Sequence, residues 1–524
     1  MTEKKRKLFD GPYDLVVIGG GITGAGIIRD ASMRGLKTLL VEKGDFSSGT
    51  SSRSGKLIHG GLRYLKYFQF KLVYESCKER YYLWKIVAPH IVKRVKFFYP
   101  FFKSNKTPSW LILLGVFLYS ALANFRSLGM PRLILRNKLY QLIPSLNPSA
   151  WGGVAYYDCR ANDSRLTIDT LKSAEQAGGE VRNYLEVLRV EVVGGDYLLS
   201  LKDHIDNGNI FKIKSHSIIN ATGAWSDVVL GDRVQGNQKL FNLKMSEGIH
   251  LIFSQQKLSL KEVLTLEARA DHRNIYCVPW GDYVLIGTTD RIYTGNPDSP
   301  QIQSEDVAYL LDTLNFYFPK ANISPQDILS ATVGIRPLVG SSNGKREEEI
   351  SRDYEFYFSA PAMLSVTGGK LTTYRLMAKK CLDLMIKKNI FQHNLSPCKT
   401  LSPISGADIE DEKAVLNKFE RNMFNRYGSN YKYIVKLDGP DGKIPKLEYY
   451  WKEIRYIVEN EYVERLEDLL VRRTEIFFVA PYLETAILNK LAQYVGNLKK
   501  WSDARVQEEV SFYLSAVSSL PSKK

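Results

Sequence analysis

Residues 13–34, YDLVVIGGGITGAGIIRDASMR, contain the pattern that decides the fold. A short apolar run rich in β-branched residues predicts a buried parallel strand, and it leads directly into Gly19, Gly21 and Gly24. Helical character then continues to Arg34. Between a strand and a helix, this G-x-G-x-x-G spacing predicts a dinucleotide-binding turn. The first glycine permits the tight turn, the second lets backbone approach a pyrophosphate, and the third lets the helix pack close to the strand.

A carboxylate follows the next predicted strand. Residues 38–41 are apolar, and Glu42 comes 18 residues after Gly24. At a strand end a carboxylate can accept hydrogen bonds from ribose hydroxyls, and its charge would repel a 2′-phosphate. The pattern therefore disfavours NADP but does not choose between FAD and NAD.

Three further groups of small or hydroxyl-bearing residues extend the predicted nucleotide site. They lie at residues 49–52, 220–223 and 368–373. The last group starts a predicted helix, whose N-terminus would stabilise negative charge on a reduced flavin. Groups so far apart imply a discontinuous cofactor domain, which favours a flavin. The residues predicted here to contact the cofactor are Thr50, Ser51, Ser52, Ala221, Thr222, Gly223, Gly369, Leu371 and Thr372.

Composition indicates an ordinary globular protein in a reducing compartment. The chain has 524 residues, of which 44% are hydrophobic and 24% charged, so we expect two to four domains and a large core. Its five cysteines are dispersed without C-x-x-C spacing, which argues against disulfides and against a bound metal. The basic N-terminus is interrupted before the first apolar run, so we do not expect a signal peptide.

The positive charge is concentrated in one region. The net charge is +16, and no acidic residue occurs between Glu79 and Asp158. Within this region residues 110–125, WLILLGVFLYSALANF, are uncharged and apolar, but they fall short of the roughly 20 residues that span a bilayer. Three interpretations stay open: a buried core helix, a helix on an anionic membrane surface, and a spanning helix. No nucleic-acid-binding motif accompanies the charge.

Taken together, the motifs resemble those of FAD-dependent glycerol-3-phosphate dehydrogenases. The resemblance covers about residues 12–380 strongly and extends weakly through RYGSN and LVRRT of the C-terminal part. The segments that resemble the family, in order, are 14–65, 156–169, 218–227, 278–290, 333–340, 350–354 and 364–375.

The resemblance implies an α/β fold with three parts. These are an FAD-binding, Rossmann-like domain of the glutathione-reductase type, an antiparallel-sheet substrate domain and a C-terminal α-helical domain. We assign 10–80, 150–235 and 330–395 to the first, 81–149 and 236–329 to the second, and 396–524 to the third. It also implies oxidation of sn-glycerol 3-phosphate, electron transfer to a membrane quinone, and peripheral association with the cytoplasmic face of the cell membrane. A homodimer is compatible with the sequence.

The substrate of this family is a small dianion, so its site needs cations. The residues that match family positions near the substrate are Arg63, Tyr64, Arg336, Arg352 and Lys370. Arginine suits phosphate because its two nitrogens bind in parallel, whereas lysine supplies a compact charge.

Oxidation also needs a base for the hydroxyl proton. We favour His250 as this base and expect His59 to contact the flavin. Arg336 could instead stabilise the developing alkoxide, and the Thr288 hydroxyl could orient the substrate. The chain departs from the family at Glu247-Gly248, where a lysine-glycine pair is usual. A carboxylate there weakens the local positive potential, and if it lies close to a histidine it raises the pKa of that histidine.

Two other enzymes and one inactive protein stay as alternatives. An oxidase would use the same substrate with oxygen as acceptor, and oxygen uptake distinguishes it. An amino-acid oxidase, or another member of the wider FAD family, would need only one arginine for its substrate carboxylate. A flavoprotein scaffold without activity would not be bleached by any small substrate.

Overall fold

The computed structural model describes residues 8, 11–123, 128–234, 241, 243–338, 354–391, 394–409, 417–440, 442–518 and 520. The strands are, in chain order, β1 (Leu15–Ile18), β2 (Thr38–Val41), β3 (Leu57–Ile58), β4 (Lys93–Phe101), β5 (Arg132–Leu135), β6 (Gly152–Arg160), β7 (Glu180–Arg182), β8 (Leu185–Val193), β9 (Asp196–Asp203), β10 (Ile210–Ser215), β11 (Ile218–Asn220), β12 (Lys244–Ser254), β13 (Val263–Glu267), β14 (Asn274–Trp280), β15 (Tyr283–Gly287), β16 (Arg291–Tyr293), β17 (Ile328–Leu338), β18 (Tyr354–Ala360) and β19 (Met363–Gly368).

Helices occur throughout and become dominant after α9. They are α1 (Ile22–Met33), α2 (Phe70–Tyr82), α3 (Ser109–Leu122), α4 (Arg136–Leu142), α5 (Asp163–Gln176), α6 (Ser226–Val228), α7 (Gln255–Leu258), α8 (Ser304–Tyr317), α9 (Tyr374–Lys387), α10 (Lys418–Tyr427), α11 (Tyr431–Lys436), α12 (Trp451–Asn460), α13 (Ile476–Val479), α14 (Thr485–Lys499) and α15 (Asp503–Ser518).

The predicted strand–helix–strand unit opens a mixed sheet. Among the described residues its order is β18-β19-β11-β1-β2-β7, with β18 antiparallel and the other neighbours parallel. Because β1 and β2 are buried on both sides, they have no alternation of polar residues.

Helices cover one face of this sheet and a small antiparallel sheet covers the other. Helix α1 packs between α5 and α9, and Leu15, Val17 and Leu40 face them. Val16 and Leu39 point to the opposite face, where β8, β9 and β10 form the antiparallel layer. This three-layer arrangement places the carboxyl ends of β1, β2, β11 and β19 along one edge.

A second, larger sheet holds the remaining strands. Its order is β16-β12-β15-β14-β13-β4-β6-β3 within the described residues, with β17 paired to β12 and β5 paired to β6. Nearly all pairs are antiparallel, the exception being β4 with β13. The C-terminal helices share its core: Phe478 stacks on Tyr283, and its carbonyl accepts a hydrogen bond from Ser330.

The assigned domain ranges do not match the division of strands between the mixed sheet and the large sheet. Strands β3 and β6 and most of β17 fall within ranges assigned to the cofactor domain, yet all three pair within the large sheet. Strand β17 therefore joins the two sheets, because its partner is β12 and the chain continues to β18 and β19. The domain boundaries themselves stay a prediction.

Candidate active site

The glycine turn brings three backbone segments into close contact. Gly19 has φ of +111°, and a Cβ there would lie 2.7 Å from the carbonyl oxygen of Ala221. A Cβ on Gly24 would lie 2.0 Å from the carbonyl oxygen of Gly19. Larger residues would separate α1 from β1 and β1 from the end of β11. The turn thus aims the N-terminus of α1 at the space above the sheet edge, where anions bind favourably.

Glu42 is tied to the same turn. One carboxylate oxygen accepts a hydrogen bond from Gly20 N–H at 2.7 Å, and the other accepts one from Gly44 N–H at 2.9 Å. Burial raises the pKa of Glu42, while the two N–H groups favour its charged form. Each oxygen retains a lone pair for a ribose hydroxyl.

One cavity of about 600 Å³ extends from this turn to a group of cations. The residues predicted from the sequence that line it are Gly19, Gly21, Glu42, Thr50, Ser51, His59, Arg63, Tyr64, Ala221, Thr222, Gly223, His250, Thr288, Arg336, Gly369, Lys370, Leu371 and Thr372. A Cβ on Gly21 would lie 3.1 Å from the Ser51 hydroxyl, so glycine keeps this part of the wall open. The size, the helix N-terminus and the placement of Glu42 fit an elongated dinucleotide.

Arg336 lines the cavity, and the strand register fixes its position. It lies on β17 opposite Ser246 of β12. Its guanidinium donates to the Thr288 hydroxyl at 2.5 Å and pairs with Asp290 at 3.2 Å. A Cβ on Gly248 would lie 2.3 Å from the guanidinium, so this glycine provides the space in which the arginine lies.

Lys370 and Tyr64 form a second cationic contact. The Lys370 ammonium lies 3.7 Å from the centre of the Tyr64 ring. Tyr64 and Arg63 belong to a short 3-10 helix, Leu62–Tyr67, that begins after Gly61. Gly61 has φ of +81°, and a Cβ there would lie 2.3 Å from the Tyr64 ring. The arrangement places positive charge along one wall, which suits a phosphate.

His250 is buried in β12 and faces the cavity. Its Nδ1 has no hydrogen-bond partner among the described residues. Burial, Arg336 and Lys56 together lower the pKa of His250 to about 3. The imidazole is therefore neutral at physiological pH and can accept a proton.

Glu247 does not act on His250 as the sequence suggested. The two residues differ by three positions on a strand and so point to opposite faces. Glu247 forms an ion pair with Arg291 instead. The closeness on which a raised pKa depended is therefore not found, and burial with Arg336 and Lys56 instead lowers the pKa of His250.

His59 is linked to the segment after β19. Its backbone N–H donates to the Thr372 hydroxyl at 3.1 Å, and this hydroxyl also lies 3.1 Å from the His59 carbonyl oxygen. The contact holds residues 59 and 372, far apart in sequence, on one wall of the cavity.

Among the described residues, two of the predicted site residues are not on the cavity wall. Gly24 contacts the Gly19 carbonyl and serves packing, and Ser52 is buried away from the cavity. Arg352 lies outside the described residues. Sequence reasoning in turn missed Arg53, which lines the cavity and donates to the Val333 carbonyl at 3.0 Å, and Asp290, which orients Arg336.

Helix α3, inside the acid-free region, exposes an apolar face. Ile112, Val116 and Tyr119 are buried, whereas Trp110, Leu114 and Phe117 are 65%, 57% and 46% exposed. The interpretation as a buried core helix is therefore wrong: only one side of α3 packs on the protein. Among the described residues, no helix is both long and apolar enough to cross a membrane.

Two family models match most of the chain. The model described as FAD dependent oxidoreductase matches residues 14–375. The model described as C-terminal domain of alpha-glycerophosphate oxidase matches residues 398–506. Together they include all three sheets and most of the C-terminal helices.

Individual proteins are similar over nearly the whole chain. The aerobic glycerol-3-phosphate dehydrogenase of Staphylococcus haemolyticus is 33% identical, covering 96% of this chain and 91% of its own. The enzyme of that name from Staphylococcus aureus USA300 is 35% identical over 90% of this chain and 88% of its own.

Solved structures show the same fold. The glycerol-3-phosphate dehydrogenase from Bacillus halodurans complexed with FAD superposes with a TM-score of 0.77 at 26% identity, covering 99% of this chain and 97% of that one. The L-alpha-glycerophosphate oxidase from Mycoplasma pneumoniae shares the fold at a TM-score of 0.58 and 16% identity, covering 75% of this chain and 99% of that one.

Proposed function

This chain belongs to the aerobic glycerol-3-phosphate dehydrogenase family of FAD-dependent oxidoreductases, and we propose that it oxidises sn-glycerol 3-phosphate to dihydroxyacetone phosphate with a membrane quinone as acceptor. The membership confirms the resemblance found in the sequence, the predicted fold class, the FAD cofactor and the prediction of an enzyme. The observation that carries the proposal is the meeting of cations, a neutral histidine and the glycine turn in one cavity.

The cations account for substrate binding. Arg63, Arg336 and Lys370 line the same end of the cavity, and together they can balance a phosphate dianion. Asp290 holds the guanidinium of Arg336 from one side, which leaves its orientation fixed before substrate arrives. A substrate with a single carboxylate would leave part of this charge unbalanced.

The residues around C2 account for proton removal. FAD, when bound, supplies the acceptor for a hydride from C2. His250 is neutral and can take the hydroxyl proton, and a bound dianion nearby raises the pKa of the resulting imidazolium. The guanidinium of Arg336 stabilises the negative charge that develops on the C2 oxygen. The Thr288 hydroxyl lies 2.5 Å from this guanidinium and helps to orient the substrate.

A peripheral membrane location completes the proposal. A quinone is dissolved in the bilayer, so the enzyme must approach its surface. The exposed apolar face of α3 and the exposed basic residues Lys103, Lys106, Arg132 and Arg136 support contact with anionic lipid. Location on the cytoplasmic face of the cell membrane and a homodimer stay predictions.

Flavin reduction without oxygen tests the function directly. We expect sn-glycerol 3-phosphate to bleach the flavin absorption band of the purified holoenzyme, and glycerol or glycine to leave it unchanged. Failure of glycerol 3-phosphate to bleach a protein that retains FAD would overturn the substrate assignment.

The acceptor needs a separate measurement, because the matching C-terminal model is named for an oxidase. The reduced enzyme is mixed either with oxygen or with a quinone in vesicles. Faster reoxidation by quinone supports the dehydrogenase; fast oxygen uptake with peroxide formation would establish the oxidase instead.

A further inference from the structure

A buried group of charged side chains links the C-terminal region to a loop that lines the cofactor cavity. Arg473 binds both carboxylate oxygens of Asp45, at 2.6 and 2.8 Å, and Arg472 donates to the same carboxylate. All three side chains are buried. Bidentate arginine–carboxylate contacts in such surroundings fix both position and direction.

Asp45 belongs to the loop that forms the nucleotide end of the cavity. The loop comprises residues 42–48 and starts with Glu42, which binds Gly20 N–H at 2.7 Å. Ser47 N–H donates to the Gly20 carbonyl at 3.0 Å. Residues 42–44 and 48 of this loop line the cavity. A shift of Asp45 would therefore move the cavity wall.

An aromatic contact runs beside the charges. Phe46 packs edge-on against Tyr462 of the C-terminal region, with ring centres 5.1 Å apart. A Cβ on Gly20 would lie 2.5 Å from the Phe46 ring, so Phe46 presses directly on the glycine turn. Asn183 completes the contact by donating to Asp45 at 3.1 Å and to the Tyr462 carbonyl at 2.8 Å.

The arginines are themselves held by their own region. Arg472 pairs with Asp468 at 2.7 Å, and Arg473 donates to the Glu461 carbonyl at 2.7 Å. Burial raises the pKa of Asp45, but Arg473 and Arg472 outweigh it and hold that pKa below its ordinary value. Asp45 is thus an anion whose position depends on residues more than 400 positions later in the chain.

We propose that Arg472 and Arg473 are positioning residues for FAD, and that the C-terminal region thereby controls how tightly the nucleotide end of the cofactor is retained. The inference rests on the proposed function only in that FAD occupies this cavity. Its physical basis is that loop 42–48 is held by hydrogen bonds on two sides. Glu42 and Ser47 bond to Gly20, and Asp45 bonds to the two arginines. Removing the second support lets the loop move and weakens the contacts of Glu42 and Gly44.

The test measures FAD affinity in full-length Arg473→Gln and Arg472→Gln proteins. Apoprotein is titrated with FAD, and quenching of flavin fluorescence gives the dissociation constant. We expect it to rise at least tenfold in each variant. At saturating FAD, kcat and KM for glycerol 3-phosphate should stay within about twofold of wild type, because the cations at the other end of the cavity are untouched.

Arg426→Gln provides a matched control. Arg426 pairs with Glu453 at 2.9 Å inside the C-terminal region and has no contact with loop 42–48. The Arg426→Gln substitution should lower the midpoint temperature of thermal unfolding and leave FAD affinity unchanged. If Arg473→Gln does not fold, Arg473→Lys keeps the charge but loses the bidentate contact, and its dissociation constant should lie between those of wild type and Arg472→Gln.

Two outcomes would overturn the proposal. One is unchanged FAD affinity in folded Arg472 and Arg473 variants. The other is an equal loss of affinity in the Arg426 control, which would indicate general destabilisation. Neither outcome bears on whether wild-type enzyme is bleached by glycerol 3-phosphate, so the proposed function is tested separately.

Discussion

The hydroxyl of Tyr119 lies 2.7 Å from the backbone nitrogen of Gly60 and accepts its hydrogen bond. Tyr119 belongs to α3, whose other face is apolar and exposed, whereas Gly60 begins the turn that leads to Arg63 and Tyr64. The same hydroxyl donates to Asp158 at 2.8 Å. The helix proposed to meet the membrane is therefore bonded to the segment between His59 and Arg63, two residues that line the cavity.

Tyr119→Phe should impair substrate binding without loss of FAD. It leaves Gly60 N–H without its closest acceptor, at a cost of about 1–3 kcal/mol in unfolding free energy. We expect KM for glycerol 3-phosphate to rise about fivefold, equivalent to ~1 kcal/mol of binding energy, because Arg63 and Tyr64 lose their fixed positions. Steady-state kinetics and urea unfolding measure the two effects.

The matched control is Tyr156→Phe. Tyr156 is also buried, but its hydroxyl lies 3.0 Å from Thr265, whereas the Gly60 N–H is bonded to Tyr119 and Asp158. It should lower stability with KM unchanged. A similar KM increase in both variants would contradict a specific role for the contact between α3 and Gly60.

Arg336→Ala should abolish most turnover while FAD is retained. The guanidinium lies against Thr288 and Asp290, whereas the contacts of the glycine turn are with Ala221, Glu42 and Ser51. Loss of a donor to a developing oxyanion costs about 100- to 1,000-fold in rate. Stopped-flow flavin reduction measures this effect. Arg269→Ala removes an exposed ion pair with Asp312 and serves as the control. Unchanged kinetics for Arg336→Ala would refute the role assigned to Arg336.

The parts of this site that sequence could predict are those set by local pattern. The spacing of Gly19, Gly21 and Gly24 and the strand that precedes Glu42 specify the nucleotide end without knowledge of distant contacts. Register across the large sheet is different. Nothing in the neighbourhood of Arg336 indicates that Ser246 lies opposite it, or that Gly248 leaves space for its guanidinium.

Missed features have similar causes. Strand β4, KRVKFFYPF, lacks alternation because its later residues are buried on both sides, so its pattern does not distinguish it from the surrounding aromatic and basic residues. The contact of Asp45 with Arg473 joins residues that share no local pattern. In sequence, LVRRT carries only a resemblance, and the contact of its second arginine with Asp45 requires both partners to be placed in the fold.

His250 should stay neutral across the physiological pH range. Its folded-state pKa of about 3 lies below the ordinary value of 6.5, so the folded protein binds this proton less readily than the unfolded chain does. Stability from this group is present above pH 6.5 and is lost as pH falls towards 3. Histidine-selective ¹⁵N NMR, with His250→Asn to assign the signal, measures the titration. A midpoint between pH 5 and 8 in the substrate-free enzyme would contradict the expected behaviour.

Substitution on the exposed face of α3 should weaken membrane binding and leave catalysis with a soluble acceptor intact. Leu114→Glu and Phe117→Glu replace half-exposed apolar side chains with charges that an anionic surface repels. We expect at least tenfold weaker binding of the double variant to vesicles containing anionic lipid, measured by flotation.

High salt should weaken wild-type binding because it screens the basic residues. Phe512→Glu, on α15 and 48% exposed, should bind as wild type does. Wild-type affinity of the α3 variant would rule out this face as the contact, and binding insensitive to salt and to lipid charge would rule out the electrostatic contribution.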